Sequence, residues 1–479
     1  MPKIVLLWTD VVVLGLALLL LYYIWQVSRH PIQRARWFKV FSDAPALCSA
    51  LLLGLFMVPT LLDSVHFRVA LPPSAGAAPG AAVAYDTRTK SLLDLALRPL
   101  IDARESSYSA PLAWQGFVKE STTAGGKVGR AFPRLKFGGA HLSDPATEWV
   151  PDLLLRSAVG LGWGLLIAAL GIAAVVALQA RRLGSSFGHT LGLIAQDRTE
   201  LPLRALLVTW ALVSLLAGVA LSLAGAYHVL GTDRTGNDVL YQALKSIRTA
   251  FVIGALATLA TLPFAIVLGV MAGYFKGWVD EVIQYIYTVL SSVPFILLIA
   301  ACVLMMQVYI DKHADLFETG AERADVRIFL LCVIVGVTGW AGLCRLLRGE
   351  TLKLRELDYV QAATAFGVSH SRIMARHILP NVMHLVLITT VLSFSDLILF
   401  EAVLSYIGIG VDPSMNSFGG MINQARGEIA RDPMIWWSFA AAFVFMVSLV
   451  LAANLFADGV RDAFDPHARS LRPRLAPAK

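Results

Sequence analysis

Apolar residues in this chain come in long blocks, without the alternation of a half-buried strand or the one-sided spacing of a surface helix. About nine blocks stand out, roughly 5 to 27, 46 to 62, 153 to 178, 204 to 227, 248 to 273, 282 to 308, 327 to 347, 381 to 404 and 435 to 457. Each is nearly free of charge and long enough to cross about 30 Å of hydrocarbon as a helix. The pattern predicts an all-α polytopic membrane protein. The first block is not read as a cleaved signal, because its positive charges (Arg29, Arg34, Arg36, Lys39) follow the apolar stretch instead of preceding it.

The polar stretches between blocks predict orientation. Lys and Arg concentrate at 28 to 45, 179 to 203, 345 to 380 and in the carboxyl tail, which places these in the cytoplasm and the amino terminus outside. The segment from 63 to 150 is then external. It opens with an Ala/Gly/Pro tract, Leu71 to Gly80, continues with an amphipathic helix predicted over Leu92 to Ala103, and ends in a Gly-rich stretch from Ala124 to Gly139. Its two readings are a small lid or docking element, or a disordered spacer.

Composition agrees: 57% of residues are hydrophobic and 15% charged, against roughly 25% charged for soluble domains. The net charge of +7 is dispersed between blocks, so a nucleic-acid partner is not expected. Cys48, Cys302, Cys332 and Cys344 lie in or beside apolar blocks without metal-site spacing and are read as packing residues.

Enzyme signatures are absent. Gly125-Gly-Lys-Val-Gly-Arg130 only superficially echoes a phosphate loop, and Gly408-Ile-Gly410 lacks the third glycine of a dinucleotide site. No catalytic residue, metal site or bound cofactor is expected of this chain. Asp233, Asn237 and Asp238 lack the ligand alternation of a calcium loop. Pro263 and Pro294 are read as tolerated kinks within spans.

The most informative polar stretch is 356 to 380. A short helix over Glu356 to Phe366 carries small residues on one face, and Gly367 supplies its left-handed stop. Ser369 is placed to cap a second helix, expected to end before Pro380. Two short helices at a glycine corner form a docking knob, or else an amphipathic connector on the membrane surface.

This run resembles the Glu-Ala-Ala-x3-Gly-x9-Ile-x-Leu-Pro loop of ABC importer permeases, with Ala362, Ala363, Gly367, Leu379 and Pro380 in register. It departs at Gln361, where the pattern has Glu, and at His377, where it has Ile. The flanking Arg376-His-Ile-Leu-Pro-Asn381, Gly231-Thr-Asp-Arg-Thr-Gly-Asn-Asp-Val-Leu240, Glu401-Ala-Val-Leu-Ser-Tyr-Ile-Gly-Ile-Gly410 and Asp458 to Pro466 are similar to segments of the dipeptide and oligopeptide branch, which includes the microcin-type peptide importers.

The resemblance implies a six-helix type I permease core at 204 to 479, with its coupling loop at 350 to 380. It leaves outside that core two amino-terminal spans (1 to 62), the extracytoplasmic segment (63 to 150), and a third span with its connection (151 to 203). It also implies a subunit of an ATP-driven peptide importer in the bacterial inner membrane. The partners would be a second permease, two cytoplasmic ATPases that bind ATP and Mg, an extracytoplasmic solute-binding protein, and lipid.

ATPase coupling would fall to Gln361, Ala362, Ala363, Gly367, Arg372, His377 and Pro380. For the translocation path the candidates are Asp396, Ser393 and Glu401. Asp396 is there because a carboxylate within a span costs about 2.5–3.5 kcal/mol unless it meets water or a partner. An ion-coupled secondary transporter built on Asp396, and a scaffold or sensor with 63 to 150 as its input domain, are the other classes.

Overall fold

The computed structural model describes residues 3–71, 85–124 and 127–464. The tract from Leu71 to Gly80, except Leu71 itself, and the basic tail beyond Phe464 therefore lie outside the described residues. Among the described residues, eight helices are long and apolar enough to span a membrane, and nine if one bent pair is counted as a span.

The chain opens with β1 (Lys3–Val5), α1 (Trp8–Arg29), α2 (Pro31–Phe41), α3 (Ala44–Asp63) and β2 (His66–Arg68). Then come β3 (Lys90–Ser91), α4 (Leu92–Ala96), α5 (Arg98–Asp102) and the hairpin β4 (Glu120–Ala124) and β5 (Lys127–Ala131). The helix predicted over Leu92 to Ala103 is in fact these two short helices. Ser91 and Asp94 close a capping box on α4, and Pro99 in the first turn of α5 restarts the chain where its missing N–H is not needed. In the Gly-rich stretch, the strands pair from Glu120↔Ala131 inward. So the described part of 63 to 150 is ordered, which overturns the spacer reading for those residues.

The remaining elements are α6 (Pro145–Leu183), α7 (Phe187–Ala195), α8 (Leu203–Ala224), α9 (Val239–Phe275), α10 (Gly277–Ser292), α11 (Phe295–Lys312), α12 (Gly320–Gly339), α13 (Ala341–Arg355), α14 (Asp358–Ala365), α15 (His370–Ile373), a π-helical turn Met374–Ile378, α16 (Leu379–Tyr406), α17 (Phe418–Ile429) and α18 (Trp437–Phe464). Pro263 is carried inside α9 as expected. Two spans differ from their sequence reading. The 282 to 308 window is broken between Ser292 and Phe295, so Pro294 ends a helix instead of bending it. The 327 to 347 window is part of a pair, α12 and α13, bent by 40°.

Two compact units divide the chain, and each draws on separated stretches. The first comprises 1–24, 64–90 and 248–423. In it, β1 and β2 pair antiparallel, Lys3↔Arg68 to Val5↔His66. Beside them lies a buried polar cluster. Arg248 Nη2 donates to Asp10 Oδ1 at 2.5 Å and to Thr9 Oγ1 at 2.9 Å, His66 Nδ1 lies 2.7 Å from Asp10 Oδ2, and the Thr9 hydroxyl donates to Asp325. Paired in this way, the charges avoid the cost of isolated burial. An apolar cluster of this unit, around Tyr274, Tyr287, Trp340, Cys344 and Leu347, holds α9, α10, α13 and the start of α16.

The second unit comprises 25–63, 91–247 and 424–479. Its α6 and α8 meet through glycine: a Cβ on Gly160 would lie 2.7 Å from the Gly218 carbonyl, and one on Gly164 2.7 Å from the Ser214 carbonyl. Small residues permit the close backbone approach that drives helix association in lipid. The loop from Gly231 to Asp238 forms as read, with Asp238 Oδ1 accepting from the Tyr241 N–H at 3.1 Å and capping α9. Asp233 spends its oxygens on Thr235, Asn237 and Gln242. Glu105 lies against this loop. Its carboxylate accepts from the N–H groups of Lys136, Phe137 and Gly138 at 2.9–3.1 Å and sits 3.5 Å from His228 Nε2, whose Nδ1 is 2.8 Å from Asp238.

Candidate functional site

The glycine corner is anchored before it is exposed. Val360, Ile373 and Ile378 are fully buried in the cluster that contains Cys344, Leu347 and Val382. From that anchor α14 projects and stops in a Schellman arrangement: the Val368 N–H donates to the Ala363 carbonyl at 3.1 Å and the Gly367 N–H to Thr364 at 3.0 Å. Gly367 has φ +71°, and a Cβ there would meet nothing within 4 Å. The need for glycine is therefore conformational, not steric.

The exposed part is a small-residue ridge. Gln361, Ala362, Arg372 and Pro380 are exposed, while Ala363 and His377 are half-buried. Phe366 is 86% exposed at the tip. Two details differ from expectation. Ser369 occupies the cap position of α15 but makes no capping bond there. The second helix does not end before Pro380 either, because the π turn carries the chain directly into α16. Pro380 then falls in the first turn of α16, where a missing N–H costs nothing.

Beside the ridge opens a cleft of about 570 Å³ lined by Tyr274, Arg355, Glu356, Gln361, Thr364 and His370 among others. The Tyr274 hydroxyl is 2.8 Å from His370 Nδ1, and Arg355 lies over the Tyr274 ring. Lys276 Nζ donates to Glu356 Oε1 at 2.7 Å and holds that carboxyl below its ordinary range. Gln361 uses its amide locally, donating to the Glu356 carbonyl at 3.2 Å. Arg355 Nη1 is buried without a partner among the described residues. Two turns back along α13, Arg348 grips Asp280 through two bonds of 2.5 and 2.7 Å.

Of the path candidates, Ser393 and Asp396 lie one turn apart on one face of α16, and Glu401 lies on another. Asp396 is exposed on α16 and Ser393 is half-buried. Glu401 is buried, its carboxylate accepting from Ser405 Oγ at 2.6 Å, while the same hydroxyl accepts from the Val411 N–H. It fastens the turn after α16. The Arg248 cluster, the Glu105–His228–Asp238 chain and the break at Pro294 have no counterpart in the sequence reading. Only Pro294 carried a local signal.

Known proteins match the carboxyl half. Residues 265–470 match the family described as binding-protein-dependent transport system inner membrane component. The oligopeptide transport system permease protein OppC of Mycobacterium tuberculosis is 32% identical over 52% of this chain and 79% of its own length. OppC of Haemophilus influenzae is 30% identical over 51% of this chain and 71% of its own. The glutathione transport system permease protein GsiD of Pectobacterium atrosepticum is 33% identical over 51% and 74%.

Proposed function

Because the chain belongs to the inner membrane components of binding-protein-dependent transport systems, as a permease subunit of the oligopeptide and dipeptide branch of ABC importers, we propose that it carries peptides or peptide-like solutes across a bacterial inner membrane by alternating access. ATP and Mg then belong to two cytoplasmic ATPase subunits, a second permease completes the pathway, and an extracytoplasmic binding protein delivers the solute. The observation that carries this reading is the ridge at Gly367: an exposed aromatic and small residues stand on a fully buried anchor, beside a cleft with an open guanidinium donor. Gln361, Ala362, Ala363, Arg372, His377 and Pro380 form the face offered to the ATPase. Phe366 is the natural hot spot of that contact, being an aromatic ringed by small neighbours.

The external amino terminus is supported by the distribution of Lys and Arg and by the β1–β2 pairing, which keeps residues 3–5 on the same side as residues 66–68. Gly367→Val tests the coupling role. A β-branched residue resists φ +71°, so the corner opens while the anchor stays. Transport and ATPase co-purification should both fall with the second permease still bound. Full transport with normal ATPase recovery would refute the docking assignment.

A further inference from the structure

Helix α10 presents three distinct faces. Asp280, Ile283 and Tyr287 are buried; Trp278, Val282, Ile286 and Val289 are exposed and apolar; Glu281, Thr288 and Ser291 are exposed and polar, with the half-buried Gln284 between them. The apolar exposed set, at i, i+4, i+8 and i+11, is what hydrocarbon requires. The polar set, at i, i+3, i+7 and i+10, is what hydrocarbon rejects.

The polar face leads into an opening of the backbone. Pro294 has no N–H to give the Leu290 carbonyl, the Ser292 hydroxyl donates to the Val289 carbonyl at 2.7 Å, and every residue from Ser291 to Leu297 is exposed. The break falls near the middle of the apolar window, about 24 Å along α10 from Gly277 at 1.5 Å per residue. Non-helical backbone at that depth persists only against protein or water. Other discontinuities converge here. The Phe295 ring lies 5.0 Å from Phe400 on α16 and would touch a Cβ at Gly339, where α12 bends into α13. Asp396 precedes Phe400 by one turn of α16, on the same face, and is exposed.

We propose that the junction at Pro294 lines a water-filled solute path. Gln284, Thr288, Ser291 and the Leu290 carbonyl form its hydrogen-bonding wall, Asp396 its anionic end, and the solute is a chain of amides bearing a protonated amine. The inference rests on the permease reading. The wall offers acceptors to amide N–H groups and a carboxylate to an ammonium. A second permease seated on this face would instead have to match a polar stripe and an open backbone together.

The test uses the assembled transporter in vesicles, in a background lacking the four native cysteines. Single cysteines replace Thr288 and Ser291 on the polar face and Val282 and Ile286 on the apolar face. A small hydrophilic thiol reagent should modify positions 288 and 291 severalfold faster than 282 and 286. Trialanine should slow modification at 291 more than N-acetyl-trialanine does, and Asp396→Asn should erase that difference. Equal reactivity of the two faces, or no reaction at 288 and 291, would overturn the path. Equal protection by both peptides, or none, would overturn the amine-binding end. The face contrast reads out whether or not trialanine is transported, so failure of the peptide assignment and failure of the path give different results.

Discussion

His228 carries a proton in a place that ought to expel it. Burial alone lowers an imidazole, yet the hydrogen bond with Asp238 and the Glu105 carboxylate 3.5 Å away push this one up to about 9. Glu105 is its complement: burial opposes its charge, and the bonds from His228 and three backbone N–H groups hold it down to about 2. A group raised on folding stabilises fully below its unfolded value, so the His228 share is intact below about 6.5 and is lost as pH rises through about 9. The Glu105 share is intact above about 4.5 and is lost as pH falls toward about 2. The protection factors of 104–116 and 228–238 in the intact complex, taken relative to free-amide exchange at the same pH, should therefore be high at pH 5.5 and lower at pH 9.5. His228→Ala should remove that alkaline change. A wild-type protein equally protected at both values would disprove the linkage. None of this was legible beforehand, because a Glu and a His so far apart in sequence leave no local mark. Gly367 was legible, since a glycine directly after a short helix is itself the signal for a left-handed stop.

Among elements, α6 and α8 show how narrow the tolerance is. Gly218→Leu would drive carbons into the Gly160 carbonyl and the Gly164 backbone, which a Cβ alone would approach to 2.5–2.8 Å. Overpacking of this kind costs about 1–3 kcal/mol, and backbone gives less readily than side chains. Gly162 lies on the same helix as Gly160 and faces open space, so Gly162→Leu is the matched control. Thermal unfolding of the purified complex should shift downward for Gly218→Leu only, and equal melting of the two variants would contradict the packing. Helices of this kind were readable as elements because twenty apolar residues have few alternatives in lipid. Their breaks were not. A hydropathy window averages across Ser292–Phe295 and across Gly339–Ala341, and whether a proline bends or ends a helix depends on neighbours such as Phe400 and Gly339 that the window does not contain. Pro380 reversed the error: it reads as a stop, but a π turn placed it where a helix begins.

At the scale of the molecule, basic residues and hydropathy alone supplied the span count and a topology, because both follow from the cost of moving charge through hydrocarbon. Single cysteines at Ser121, in β4, and at Ser369, beside the glycine corner, check that topology in intact cells with the native cysteines removed. Only the first should react with an impermeant reagent, and reaction at 369 would invert the assignment. The grouping of segments was beyond reading, since both compact units are stitched from distant stretches.

That stitching constrains how the protein is made. Helix α18 packs on α2 and α3: a Cβ on Gly459 would meet Ala46, Trp37 lies against Phe456 and Phe464, and Lys39 donates to the Asp462 carbonyl. Helices α2 and α3 thus find a partner whose synthesis begins only at Trp437, far along the chain from Asp63 where α3 ends. At about 5–20 residues per second, α3 waits on the order of tens of seconds in the bilayer before α18 is synthesised. Throughout that interval the Ala46 surface of α3 lacks the Gly459 backbone that will cover it. Synthesis of α18, and not the insertion of each span in turn, becomes the event that closes this packing, and a ribosome stalled before Trp437 would leave an inserted but unclosed chain for membrane proteases to clear.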